Sequence, residues 1–206
     1  MIKVFFVYTI IAVIFFILSF IALKIFKSPL FLTLSLRLFL LFEFVLLCLM
    51  YDKIIKNSKV KRIMQYAIFF YAPYCIYNFV KSPLTQFDFI PLVIESLFFT
   101  ILILYYFYET MRYNYATPLF ELPSFWISVA FLIYFAGNFF LFLYSKSMMN
   151  QPGFNFQYIL IYSTITIIKN LLLCTAIIIN KNLVIAKEST LIPPNLNLDS
   201  FSPLNN

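Results

Sequence analysis

Apolar positions along the chain fall in runs of about twenty, a length that suits membrane crossing, and most of the charge lies between them. Residues 4–23 carry no charge over 20 positions. An α-helix rises about 1.5 Å per residue, so about 20 residues cross a hydrocarbon core of about 30 Å. This run is too long for the apolar core of a signal peptide, and no small-x-small cleavage site follows it, so it reads as a retained first span. Further spans are expected at 29–51, with Arg37 and Glu43 inside; at 63–80, short, aromatic and interrupted by Pro73; at 88–108, with Glu95; at 124–145, opened by Pro123 and Ser124; and at 157–179, with Lys169 and Asn170. Proline is tolerated in a membrane helix when neighbours re-satisfy the freed backbone groups. No period-two alternation with regular turns is present, which argues against a β-barrel. The expected fold is all-α: a polytopic transmembrane helix bundle of six spans, one domain over 1–180. Residues 181–206, rich in Asn, Ser, Pro and Leu, read as a disordered cytoplasmic tail.

Composition strengthens this reading. Of the 206 residues, 63% are hydrophobic and 11% charged, and the mean hydropathy is +0.93. A soluble domain averages about 45–50% apolar and about 25% charged residues, so these side chains must face lipid rather than water. The net charge of +7 would suggest nucleic acid in a soluble protein. Here the basic residues sit between apolar runs, where they orient helices, and no nucleic-acid partner is expected. One side of the bundle holds Lys3, Lys53, Lys56, Lys59, Lys61, Arg62, Arg112, Lys181 and Lys187; the other holds only Lys24, Lys27, Lys81 and Lys146. The richer side should be cytoplasmic, with both termini inside and the chain in the cell's inner (plasma) membrane.

Candidate chemistry is sparse. Cys48, Cys75 and Cys174 each lie inside an apolar segment and read as small buried hydrophobes, not a disulfide framework or a zinc site. Histidine is absent, which removes histidine-based haem ligation, proton relays, Ser-His catalysis and phospho-acceptance. No phosphate-binding loop, nucleophile elbow or zinc signature is present, so neither an enzyme, a cofactor nor a metal is expected.

The informative residues are the charges within spans: Arg37, Glu43, Glu95 and Lys169. Each costs about 2.5–3.5 kcal/mol at a span centre on insertion scales. Their charges sum to zero, so mutual pairing is expected. The second, fourth and sixth spans run in the same direction. Arg37 and Glu95 lie roughly 12 and 10 Å into theirs, and Glu43 and Lys169 roughly 21 and 18 Å. Depth thus predicts the pairs Arg37–Glu95 and Glu43–Lys169, as structural locks or as part of a solute or proton path. Asp88, Glu95 and Glu109 form nearly one stripe. Tyr162, Thr166, Lys169 and Asn170 are expected on an inward face, and Asn138 to bond across helices beside a close approach at Gly137. Tyr105, Tyr106, Phe107 and Tyr108 read as an interfacial aromatic belt.

From Glu95 to about Asn170 the chain resembles a group of uncharacterised small bacterial multi-pass membrane proteins often encoded beside sensor histidine kinases. The likeness rests on Glu95, Tyr105-Tyr106-Phe107-Tyr108, Ser124-Phe125-Trp126-Ile127, the run from Tyr134 through Gly137 and Asn138 to Phe142, and Ile168-Lys169-Asn170. It implies no activity. It points to a sensory or accessory role, with the lipid bilayer and a membrane signalling protein such as a sensor kinase as partners. The leading expectation is a non-enzymatic membrane protein of this kind; the alternative is a transporter or channel for a small solute or protons.

Overall fold

The computed structural model describes residues 2–83, 89–112, 118–148 and 153–191. It consists of six long helices: α1 Ile2–Ile21, α2 Pro29–Asp52, α3 Ser58–Lys81, α4 Phe89–Arg112, α5 Pro123–Met148 and α6 Phe154–Leu191. Local chemistry sets several ends. A π-helical turn, Ala22–Phe26, prolongs α1 until Lys27 adopts φ 48°, and its N–H returns to the Ala22 carbonyl. Ser28 then caps α2, its hydroxyl accepting from the Phe31 N–H at 3.4 Å, with Pro29 in the first turn where no N–H is needed. Asn57 caps α3 through the Lys59 N–H at 2.9 Å.

Side-chain contacts fix the topology. Tyr8 meets Glu43 and Ser19 meets Ser35, so α1 and α2 are antiparallel. Phe44 stacks on Tyr71 at 4.0 Å while Arg37 reaches Phe79, which sets α3 antiparallel to α2. Tyr106 with Ser124 and Phe99 with Phe135 set α5 against α4. Close approach of α5 and α6 occurs at Gly137, where a Cβ would lie 2.9 Å from Ile165 Cδ1. That matches the use expected of this glycine.

Five helices are long and apolar enough to cross a membrane: α1, α2, α4, α5 and α6. The chain is a multi-pass membrane protein. The remaining helix, α3, is less apolar but has the same 24 residues as α2 and α4, about 36 Å at 1.5 Å per residue. Its helix continues through Pro73.

The bundle buries its ionisable side chains among apolar ones and turns many large apolar side chains outward. Glu95, Glu43, Arg37 and Lys169 are 1%, 3%, 4% and 9% exposed, whereas Phe16, Leu171 and Val80 on the outer surface are 74%, 66% and 83% exposed. A water-soluble fold would reverse this distribution. Some expectations need correction. Cys174 is exposed on the outer surface, unlike buried Cys48 and Cys75. α6 remains helical to Leu191, beyond the start of the expected tail, because no helix breaker occurs before Pro193. Residues 192–206, and Asp88 of the expected acidic stripe, lie outside the described residues.

Glu109, on that stripe, has a clear structural use. Its two carboxylate oxygens accept the backbone N–H groups of Asn57 (2.8 Å) and Lys56 (2.9 Å), and the Asn57 amide donates to the Tyr105 hydroxyl at 2.7 Å. The carboxylate thus holds the start of α3, where the helix dipole also favours negative charge. Tyr105 and Tyr106 are therefore bonded parts of the bundle, whereas Tyr108 faces outward. Glu109→Ala should lower stability by about 3 kcal/mol or more, as expected for two lost charge-assisted bonds, and Glu109→Gln, which keeps an acceptor, by less. Unfolding in detergent followed by circular dichroism checks this; equal stability of all three forms would show that other contacts hold the turn.

Candidate functional site: a buried polar cluster beneath an aromatic cavity

At mid-depth the bundle gathers polar groups from several helices. The Tyr8 hydroxyl of α1 donates to Glu43 Oε1 of α2 at 2.9 Å. The Tyr8 ring is placed by an edge contact with Phe131 of α5, centroids 5.4 Å apart. On α6, Lys169 points its ammonium at the face of Tyr134, 4.1 Å from the ring centroid. Such a cation–π contact is worth more in a desolvated site than at the surface. The Tyr134 and Tyr162 hydroxyls lie 3.4 Å apart, and Tyr162 is stacked parallel to Tyr158.

Glu43 and Lys169 thus belong to one cluster and lie within electrostatic reach of each other. The expected direct ion pair is replaced by an arrangement in which the carboxylate takes a hydroxyl and the ammonium takes a ring. The expected Arg37–Glu95 pair is not what the fold builds. Arg37 donates to the carbonyl oxygens of Phe79 (3.0 Å) and Pro83 (3.3 Å) and lies 5.3 Å over the Phe79 ring. Depth was matched, but direction was not: Arg37 faces the C-terminal end of α3, where carbonyls left without helical partners accept from it.

Glu95 instead lies within reach of the charge on Glu43. Its Oε1 is buried with no hydrogen-bond partner, and the same holds for both Asn138 amide atoms. The two residues sit at one level. Phe99 stacks on Phe135 with centroids 5.0 Å apart, and one helical turn from that stack, toward the same end of the bundle, come Glu95 on α4 and Asn138 on α5. The interhelical hydrogen bond expected of Asn138 is therefore not made. Of the polar face expected on α6, Tyr162 and Thr166 are half-buried, Thr166 returning its hydroxyl to the Tyr162 carbonyl at 2.8 Å, while Asn170 is exposed. Asn170 follows Lys169 by about 100° around the helix, enough to carry it off the packed face.

Above the cluster lies a cavity of about 290 Å³ between α2, α4, α5 and α6. Glu43 is its one charged lining residue, with Tyr134 and Tyr162 beside it. Phe39, Phe89, Phe142, Phe154 and Tyr158 form most of the remaining wall. A groove of about 430 Å³ elsewhere, between Phe44, Tyr71, Phe98 and neighbours, has no charged lining. Tyr8 and the cavity aromatics other than Tyr162 were not legible as site residues, since aromatic residues make up 21% of the chain.

No family model matches the chain, and no curated protein or solved structure matches it. Its chemistry is therefore read from this geometry.

Two tests follow from the bonding. Tyr8→Phe leaves Glu43 without its donor and should destabilise by about 1.5–3 kcal/mol, the range for a hydrogen bond to a charged group. Asn138→Leu removes an unpartnered buried amide and should be neutral or stabilising; a loss above about 2 kcal/mol would reveal a partner for that amide. For the charges, a double-mutant cycle of Arg37→Met with Glu95→Gln should be additive to within about 0.5 kcal/mol. Coupling well above that would restore the direct pair.

Proposed function

We propose that this protein is a non-enzymatic sensory accessory of the inner (plasma) membrane, with six spans and both termini cytoplasmic, that binds a small solute in the cavity beneath which Glu43 sits. The observation that carries this reading is the one-sidedness of the cavity. Its wall comes from the middle of α2, the first turn of α4, Tyr134 and Phe142 of α5 and the start of α6. Toward the opposite end the bundle is filled by Leu47, Tyr51, Phe99, Ile103, Ile127 and Phe131, none more than 1% exposed. A closed-ended site suits recognition better than passage. The excess of basic residues at the other end supports placing the cavity toward the outside.

α6 supplies a route for the signal. It carries Tyr158 and Tyr162 of the cavity, then Lys169 of the cluster, and runs on as one helix to Leu191. Its 38 residues make it about 57 Å long, well beyond the bilayer core of about 30 Å. A change at the cavity would reach the cytoplasmic side along a single rigid element, where a membrane kinase could read it. The resemblance to proteins encoded beside sensor kinases supports the same partner class. Transport of a solute or protons is the second reading, favoured by the ionisable and unpartnered Glu95.

Alkaline phosphatase fused at Asn206 should be inactive, and the same reporter inserted between α5 and α6 should be active. Activity at Asn206 would reverse the orientation or remove a span, α3 being the least apolar. Affinity purification from native membranes should recover a signalling kinase, and proteoliposomes should show no solute flux. Flux abolished by Leu40→Trp, which would obstruct the cavity, would establish the transport reading instead.

A further inference from the structure

We infer that the cavity is built for a hydrophobic organic cation, an amine or quaternary ammonium carrying apolar substituents; this rests on the cavity being a solute site, as proposed above. Three features converge. The wall is mostly aromatic, and ring faces attract cations through their quadrupoles. The rings of Tyr134, Tyr158, Tyr162, Phe142 and Phe154 come from two neighbouring helices and surround one volume, the arrangement by which aromatic cages hold quaternary ammonium groups. The volume of about 290 Å³ is at the small end of ligand pockets.

The second feature is the charge at the bottom of the cavity. Glu43 is its one charged lining residue, and Glu43 has Glu95 within electrostatic reach. The opposing charge in the cluster is Lys169, which lies against the Tyr134 ring and does not line the cavity. Arg37 is turned to the carbonyls of Phe79 and Pro83. Glu43 is therefore the charged group that a solute in the cavity would meet. An anion would meet Glu43 directly, without a donor cation in the wall.

The third feature is Glu95 itself. Its Oε1 is nine-tenths buried and more, without a hydrogen-bond partner. Glu95 lies within electrostatic reach of Glu43, so a cation held at Glu43 also acts on Glu95.

The test uses the full chain purified in detergent, with equilibrium dialysis corrected against detergent alone. The probes are benzyltrimethylammonium, its uncharged carbon isostere neopentylbenzene, and the anion phenylmethanesulfonate. The cation should bind at least tenfold more tightly than either comparison probe. Glu43→Gln, which keeps an acceptor for Tyr8, should abolish most of that preference, and Phe142→Leu should weaken cation binding several-fold by removing a ring. If Glu43→Gln does not fold, the preference among the three probes on the unmodified protein still decides. Equal binding of cation and isostere, or preferred binding of the isostere or the anion, would overturn the cation assignment and leave the cavity standing as a solute site. Binding of none of the three by folded protein would overturn the assignment and count equally against the cavity as a ligand site.

Discussion

Everything in this bundle is arranged around charged side chains that cannot turn to water. In a hydrocarbon environment a carboxylate or ammonium must be met by protein groups, and the alternatives are few. Glu43 is met by the Tyr8 hydroxyl, Arg37 by the carbonyls of Phe79 and Pro83, and Lys169 by the face of Tyr134. None of these named partners carries a formal charge, and each such contact joins one helix to the next along the chain. Tyr8 ties α1 to α2, Arg37 ties α2 to the end of α3, and Lys169 ties α6 to α5.

This explains which features could be read along the chain. Helix positions follow from the lengths of apolar runs, and five of the expected spans became helices that satisfy the length and composition of a crossing. The identity of the buried charges was equally legible, because a charged residue inside a long apolar run has to turn inward. Partner choice was not. Depth is encoded by counting residues from a helix end, but direction around the bundle depends on how helices are ordered and rotated. Arg37 and Glu95 illustrate the gap: their levels agree, yet Arg37 looks toward α3. Charge balance was also misleading, since it assumed that ions pair with ions. The role of Glu109 was visible only as a stripe position; its actual use required the turn before α3 to fold back onto the end of α4.

The scarcity of glycine and the wealth of aromatic residues shape the packing. Two glycines serve the whole chain against 28 Phe and 15 Tyr, and only Gly137 brings two helices into close approach. Elsewhere the helices are separated by rings, as in the stack of Phe44 on Tyr71 and of Phe99 on Phe135. Rings are rigid, and a bundle spaced by them does not readily close every gap. Where ring contacts are dense, near Tyr51, Phe99 and Phe131, the interior is full. Where α4 and α6 begin, Phe89 and Phe154 stand around open volume. The cavity is a consequence of building with aromatic residues, and its chemistry is set by the one carboxylate that reaches it.

The distribution of satisfied and unsatisfied groups separates support from function. In Tyr8–Glu43, in Arg37 with its carbonyls and in Glu109 with the α3 start, each side chain has a partner, and removing one would leave another stranded. Glu95 and Asn138 are different. Both are almost wholly buried, both have polar atoms without partners, and they share one level on adjacent helices. Apolar residues there would stabilise the bundle, because an unpaired buried polar group costs about 1–3 kcal/mol. Their presence contributes nothing to holding the helices together in this conformation. They become intelligible when a further component enters the bundle, either a solute whose charge acts on Glu95 through Glu43 or a shift of α5 against α4 that gives Asn138 a partner. α5 carries Tyr134 and Phe142 of the cavity wall on either side of Asn138, so the amide shares a helix with the rings that a solute would touch. A solute that moved those rings would move the amide with them, and α6, packed against Gly137, would be displaced in turn.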